Sequence, residues 1–173
     1  MNRLLNGIFA RIAQVAPGGY SLRPTLHRLR GVRIGKKCWI SQGVYLDELY
    51  PEAVTIGDNC TIGLRTSIFA HFHWGQRLET GGGKPVIIGN NVFIGPHCVV
   101  LPGVRIGEGS VIRAGTVVTR NIPPRMFWGG STGGPIARIT VPLGPDSPYQ
   151  DFVRGLRPVS RPSEPTAAEQ HET

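Results

Sequence analysis

A chain of 173 residues with 40% hydrophobic residues can bury one real core, and its length does not call for a second domain. Its 24 glycines and 15 prolines, without a collagen triplet, point to a turn-rich β structure. The net charge of +8 lies wholly in residues 1–46, which hold eight Arg or Lys and no acid before Asp47. No aromatic-basic interleaving accompanies that charge, so nucleic acid is not the expected partner. A solvated basic face remains open, as does attraction to anionic lipid or to a phosphorylated substrate.

The chain opens on an apolar run over Leu4–Ala16 that Arg11 and Gln14 interrupt, which is not the pattern of a signal peptide. No stretch approaches the ~18 apolar residues that a membrane span needs. Leu5, Ile8, Phe9, Ile12 and Ala16 share one helical face, so residues 1–30 are expected to form a short basic helical cap. A basic amphipathic membrane anchor is the second reading of the same segment. The expected location is the cytoplasm, at the inner face of the membrane if the basic end docks there.

From residue 31 to residue 138 the chain follows a period of six. Ile34, Ile40 and Leu46 open the ladder, and Ile56, Ile62 and Ile68 continue it. Ile88, Ile94, Val100, Ile106, Ile112 and Val118 then run without a break. Glycine often follows the aliphatic, as in Ile56-Gly57 and Ile94-Gly95. Six does not match the 3.6-residue repeat of a helix face, but it suits a short strand plus a turn, three of which close a triangular coil. Four residues after most of these aliphatics stands a small or β-branched residue, such as Val44, Thr66, Val92 or Ser110. Cys38, Cys60 and Cys98 all fall in this phase and read as small core residues, not as a redox or metal set.

Two breaks interrupt the ladder. Four extra residues lie between Leu46 and Ile56, and fourteen lie between Ile68 and Ile88, including His71, His73, Trp74 and Gly81-Gly82-Gly83. Long excursions from regular coils tend to carry function. Beyond Arg138 the repeat stops, and residues 139–173 read as an extended, Pro-rich and partly disordered tail.

The pattern aliphatic-Gly-x-x-small-x over residues 31–138 resembles the hexapeptide-repeat acyltransferase superfamily. The resemblance implies an all-β solenoid, a left-handed parallel β-helix, which departs from the usual right-handed crossover. Ile62-Gly63-Leu64-Arg65-Thr66-Ser67-Ile68-Phe69-Ala70-His71-Phe72-His73 is similar to the stretch of galactoside, maltose and nodulation-factor acetyltransferases that ends in their catalytic histidine. By hexad count that histidine is His73, which lies where the longest excursion departs and could take a proton from an acceptor hydroxyl. His71, two residues earlier, would face the opposite way and reads mostly as loop structure, with an acceptor contact beside Trp74 as its functional reading.

The segment around Asp47 resembles exopolysaccharide acetyltransferases of the colanic-acid type. That resemblance sets Asp47 in the acceptor pocket; a residue capping a turn is the equal alternative. Sugar acetyltransferases carry an asparagine in this coil, where Ile40 is the closest match here, with Gln42 nearby. The closing ladder Val111–Pro124 is also very similar to the family's. It implies that Ala114 and Gly115 offer backbone to the pantetheine arm of acetyl-CoA, beside Gly95 and Pro96. Thr119, Arg120 and Arg138 lie towards the nucleotide end.

His97 reads as a corner residue that could face the cofactor groove. The residue five after it is Pro102, so the paired histidines of γ-class carbonic anhydrases are incomplete and no metal is expected. The resemblance further implies a homotrimer with sites between subunits. The expected activity is acetyl transfer from acetyl-CoA to a hydroxyl of a sugar or saccharide. Serine, an antibiotic or an amino sugar are alternative acceptors, and a carbonic-anhydrase-like metal protein is the alternative of another class.

Overall fold

The computed structural model describes residues 3–71, 83–130, 134–142 and 149–159. Two helices come first, α1 (Arg3–Val15) and α2 (Leu22–Leu29). Three short strands then make one turn of the chain: β1 (Arg33–Ile34), β2 (Trp39–Ile40) and β3 (Tyr45–Leu46). The second turn is β4 (Val54–Ile56), β5 (Thr61–Ile62) and β6 (Ser67–Ile68). The third is β7 (Val86–Ile88), β8 (Phe93–Ile94) and β9 (Val99–Val100). The fourth is β10 (Arg105–Ile106), β11 (Val111–Ile112) and β12 (Val117–Val118).

Each strand pairs in parallel with the strand three places on, giving three sheets. The first sheet has the order β1-β4-β7-β10 and the third β12-β9-β6-β3. The second runs β2-β5-β8-β11 and is extended by β13 (Met126–Gly129), β14 (Gly134–Ile139) and β15 (Leu156–Pro158). The last two join antiparallel and end the parallel run. A helix α3 (Tyr149–Arg154) lies between β14 and β15.

Register explains why the period is six. Ile34 lies opposite Ile56, Ile56 opposite Ile88, and Ile88 opposite Ile106. The second residue of each two-residue strand points inward and the first outward, as strand geometry requires. Each inward aliphatic therefore stacks on its own kind one strand spacing away, and Ile40, Ile62, Ile68, Ile94, Val100 and Ile112 have no exposed surface at all. The small-residue phase sits at the corners. Cys38, Cys60 and Cys98 are buried there as free thiols. Each donates to a carbonyl of the next coil: Gly57 at 3.0 Å, Gly89 at 3.1 Å and Arg113 at 3.1 Å respectively. Burial pushes the Cys98 thiol up, whereas the neighbouring Cys60 draws the Cys38 thiol down to about 7.

The helices join the first coil through their backbone. The Ile40 amide donates to Gly19 and the Gly43 amide to Gln14, while the Arg23 guanidinium donates to the carbonyls of Ala16 and Ile40. The face of α1 that packs inward differs from the expected one. Ala10, Ala13 and Ala16 are buried, with Phe9 packed against that cluster and against Leu26. Leu5, Ile8 and Ile12 are 42–46% exposed. Small side chains let the helix approach closely, and the larger ones are left on its outer side. Among the described residues no helix is long and apolar enough to cross a membrane.

Stability should depend on the stacked column. Ile94→Ala, in the middle of the second sheet, is expected to cost about 2–5 kcal/mol, read as a fall in the denaturant midpoint at unchanged slope.

Candidate functional site

Both breaks in the ladder open at the corner between the third sheet and the first, so the chain leaves the coils after Leu46 and after Ile68 at the same edge. Because Leu46 lies opposite Ile68, the residues that follow them stack as neighbours. Asp47 there has no exposed surface. Its Oδ1 accepts from the amides of Leu49 and Tyr50, both at 2.9 Å, which folds the chain into the turn that leads to Pro51–Ala53. Its Oδ2 accepts from the Ala70 amide at 2.6 Å and from Nδ1 of His71 at 2.6 Å.

His71 is thus the half-buried partner of a carboxylate, its side chain 7% exposed. The alternation that would have turned it outward ends with β6 at Ile68, so the strand argument no longer applies to it. The Tyr50 ring stands edge-on to the imidazole with centroids 5.8 Å apart. An Nδ1–H donated to a buried carboxylate fixes the tautomer and places the basic lone pair on Nε2. Asp47 does not fit the expected acceptor contact. Its oxygens are taken by four donors inside the protein, so it orients His71 and caps the turn and does not meet a sugar hydroxyl.

Behind Asp47 lies a group that the sequence did not flag. Arg30, the residue closing α2, is 4% exposed. Its guanidinium donates to the carbonyls of Asp47 at 2.8 Å and Leu46 at 3.2 Å, and to Asn6 Oδ1 at 2.8 Å. It also donates to Nδ1 of His27 at 2.9 Å, which requires that nitrogen to be unprotonated. Burial, seconded by the adjacent Arg30 charge, pulls the His27 pKa down to about 3. Only the absence of acids among the first 46 residues hinted that a buried cation there would have to find carbonyls.

The other expected site residues fall on two corners. Pro96, Ala114 and Gly115 are exposed at the corner between the second and third sheets, where the His97 amide donates to Leu64 and the Gly115 amide to Pro96. His97 and Gly115 both take positive φ there, at 57° and 73°, with His97 exposed. Gly95 departs from its expected role. It is buried, its amide donates to Ile112 and its carbonyl accepts from Thr66 Oγ1. A Cβ on it would lie 2.5 Å from the Ala114 amide nitrogen, so it serves coil stacking.

Thr119 and Arg120 are exposed at the same corner as His71, two coils further on, about 10 Å along the stack. Arg138 is exposed in β14 opposite Met126, on the extension of the second sheet, so one chain does not bring it to Arg120. His73 and Trp74 lie outside the described residues. No group of three His, Cys, Asp or Glu that could hold a metal occurs among the described residues.

Residues 85–120 match the family described as bacterial transferase hexapeptide (six repeats), and residues 53–69 match the hexapeptide repeat of succinyl-transferase. The galactoside O-acetyltransferase of Escherichia coli is 37% identical over 103 residues, 57% of this chain and 50% of that enzyme. A hexapeptide-repeat acetyltransferase of Vibrio cholerae, solved with acetyl-coenzyme A, superposes with a TM-score of 0.63 at 26% identity, covering 79% of this chain and 86% of that one. A galactoside acetyltransferase solved with coenzyme A gives a TM-score of 0.60 at 28% identity, covering 79% and 80%. The chain thus carries hexapeptide repeats over residues 53–69 and 85–120 and is similar in sequence and fold to hexapeptide-repeat acetyltransferases. It spans about half the length of the curated relatives it matches.

The His27 environment gives a pH dependence of stability. The unfolded chain takes up a proton near 6.5 while the folded chain resists it to about pH 3, so stability falls as pH drops through this window. The slope should approach about 1.4 kcal/mol per pH unit. Thermal unfolding from pH 7 to pH 4 should show it, and His27→Leu should flatten it.

Proposed function

We propose that the chain is an acetyl-CoA-dependent O-acetyltransferase acting on a hydroxyl of a sugar or saccharide, with His71 as general base and Asp47 as its orienting carboxylate. The observation that carries this reading is the 2.6 Å bond between them at the corner where the repeat is interrupted. His71 Nε2 takes the proton of the acceptor hydroxyl as its oxygen attacks the thioester carbonyl. The tetrahedral intermediate collapses with loss of the coenzyme A thiolate, which receives the proton from the imidazolium, leaving an O-acetyl ester. Asp47 stabilises the transient imidazolium and keeps its ring in place. A backbone amide or another donor beside the groove would hold the oxyanion.

Sugar as acceptor class is favoured by the likeness to galactoside O-acetyltransferase, and acetyl-CoA by the coenzyme bound in similar structures. Pro96, Ala114 and Gly115 would border the pantetheine arm, while Thr119, Arg120 and Arg138 would serve its phosphates. His73 and Trp74, two and three residues after His71 in the sequence, would meet the acceptor. We take the winding to be left-handed, with α1 and α2 closing its first coil.

The base and the pantetheine edge lie at different corners of one chain. A second copy that sets its corner of Pro96, Ala114 and Gly115 against the His71 corner would complete the site. This favours a homotrimer with sites between subunits.

His71→Ala should lower kcat by about 10²–10⁴ while calorimetric binding of acetyl-CoA persists. His73→Ala, assayed beside it, should retain most turnover. The reverse pattern would move the base to His73, and absence of coenzyme binding to either variant or to the parent would overturn the acetyltransferase reading.

A further inference from the structure

Helix α1 has two apolar faces and only one is used inside the chain. Ala10, Ala13 and Ala16 face the protein, while Leu5, Ile8, Ile12 and Val15 stand on the outer side. Val15 is 71% exposed, and Leu22 and Leu29 of α2 are exposed as well. A solvated helix ordinarily carries polar residues on its outer face, and large aliphatics there need a partner. Charge states what kind. Arg11, one turn before Val15, is exposed, and Arg28, Arg33, Lys36 and Lys37 are exposed in the segment that follows. No acid occurs before Asp47 in the sequence; the fold brings back Glu48 beside Gly7 and Asp58 beside Lys36, and the five exposed cations outnumber these two acids.

From this pairing of exposed aliphatics with exposed cations we infer that α1 is a docking surface for an anionic lipid bilayer. Its outer face enters the headgroup boundary and the cations meet lipid phosphates. A second copy of the chain fits the surface less well, because self-association would bring these like charges together.

The inference bears on the proposed reaction and, in this one respect, rests on it. Asn6, on the inner side of α1, donates to the Glu48 carbonyl at 2.5 Å, next to the turn that holds Asp47 and His71. One helix, about 10–12 Å across, thus separates the lipid interface from that turn. An acceptor whose hydroxyl is carried by a membrane-anchored saccharide would be presented at this distance.

The test sediments the full chain with vesicles of phosphatidylcholine containing phosphatidylglycerol, and with phosphatidylcholine alone. Most of the protein should pellet with the anionic vesicles, at least ten-fold less with the neutral ones, and 0.5 M salt should release it. The double substitution Ile8→Glu and Ile12→Glu should abolish pelleting, with helical content, oligomeric mass and acetyl-CoA binding unchanged. Equal binding to both vesicles, undiminished binding of the variant, or no binding at all would each overturn the proposal. Loss of vesicle binding by the variant together with a change in its oligomeric mass would instead assign the face to a copy of the chain. Acetyl-CoA calorimetry on the parent separates the two readings, since vesicle binding without coenzyme binding would leave the docking surface standing and remove the acetyltransferase.

Discussion

The structure depends on self-stacking of inward aliphatics at a spacing set by three two-residue strands. Each coil alone has its hydrophobic residues half covered, and each neighbour completes them, so the core is a column and not a ball. Ile62 is covered by Ile40 on one side and Ile94 on the other, and the same holds around the other two sheets. Such a column forbids insertions within strands, because one added residue would turn aliphatics outward. It allows them at corners. The positive φ of Lys37, Asn59, Asn91 and Arg125 shows how tightly the chain must bend there, with asparagine the side chain that best tolerates it.

A carboxylate without exposed surface is costly unless each oxygen is satisfied. Asp47 is satisfied by three amides and one imidazole, and these donors come from both interruptions of the ladder. The residue therefore binds the departure of the first excursion to that of the second. Arg30 holds the same turn from the other side through its carbonyls, and burial of that cation, opposed by Glu48, Tyr45 and Asp47, draws its pKa down. Helices, corner and candidate base form one hydrogen-bonded unit, so disturbance of α2 would reach His71 without touching it.

The coils were legible because a period of six leaves no other assignment for Ile88 through Val118. The column of aliphatics and the small corner residues appear where the sequence puts them. Legibility ended where the period did. Hexad counting pointed to His73, which lies outside the described residues, while the stacking of Leu46 on Ile68, which no count contains, brings His71 to Asp47. A signal existed: both residues follow third-sheet aliphatics closely, at positions one and three. Helix α1 forms as the sequence predicts, but its inward face differs in part for another reason. Its periodicity marks two apolar faces, and propensity does not say that alanines rather than isoleucines turn inward.

That last difference has a physical lesson about partners. A cap that only closed a coil would place its largest aliphatics on the open end, where burial is worth most. This helix instead spends alanines on the protein, keeping Leu5, Ile8, Ile12 and Val15 for the outside. Alanine allows close approach of backbones, which brings Asn6 within reach of Glu48 and ties the helix by polar contacts. The arrangement is that of an element anchored inward by hydrogen bonds with its larger aliphatics turned outward. Such a division leaves apolar surface in water, and that cost is what the proposed docking of α1 would relieve.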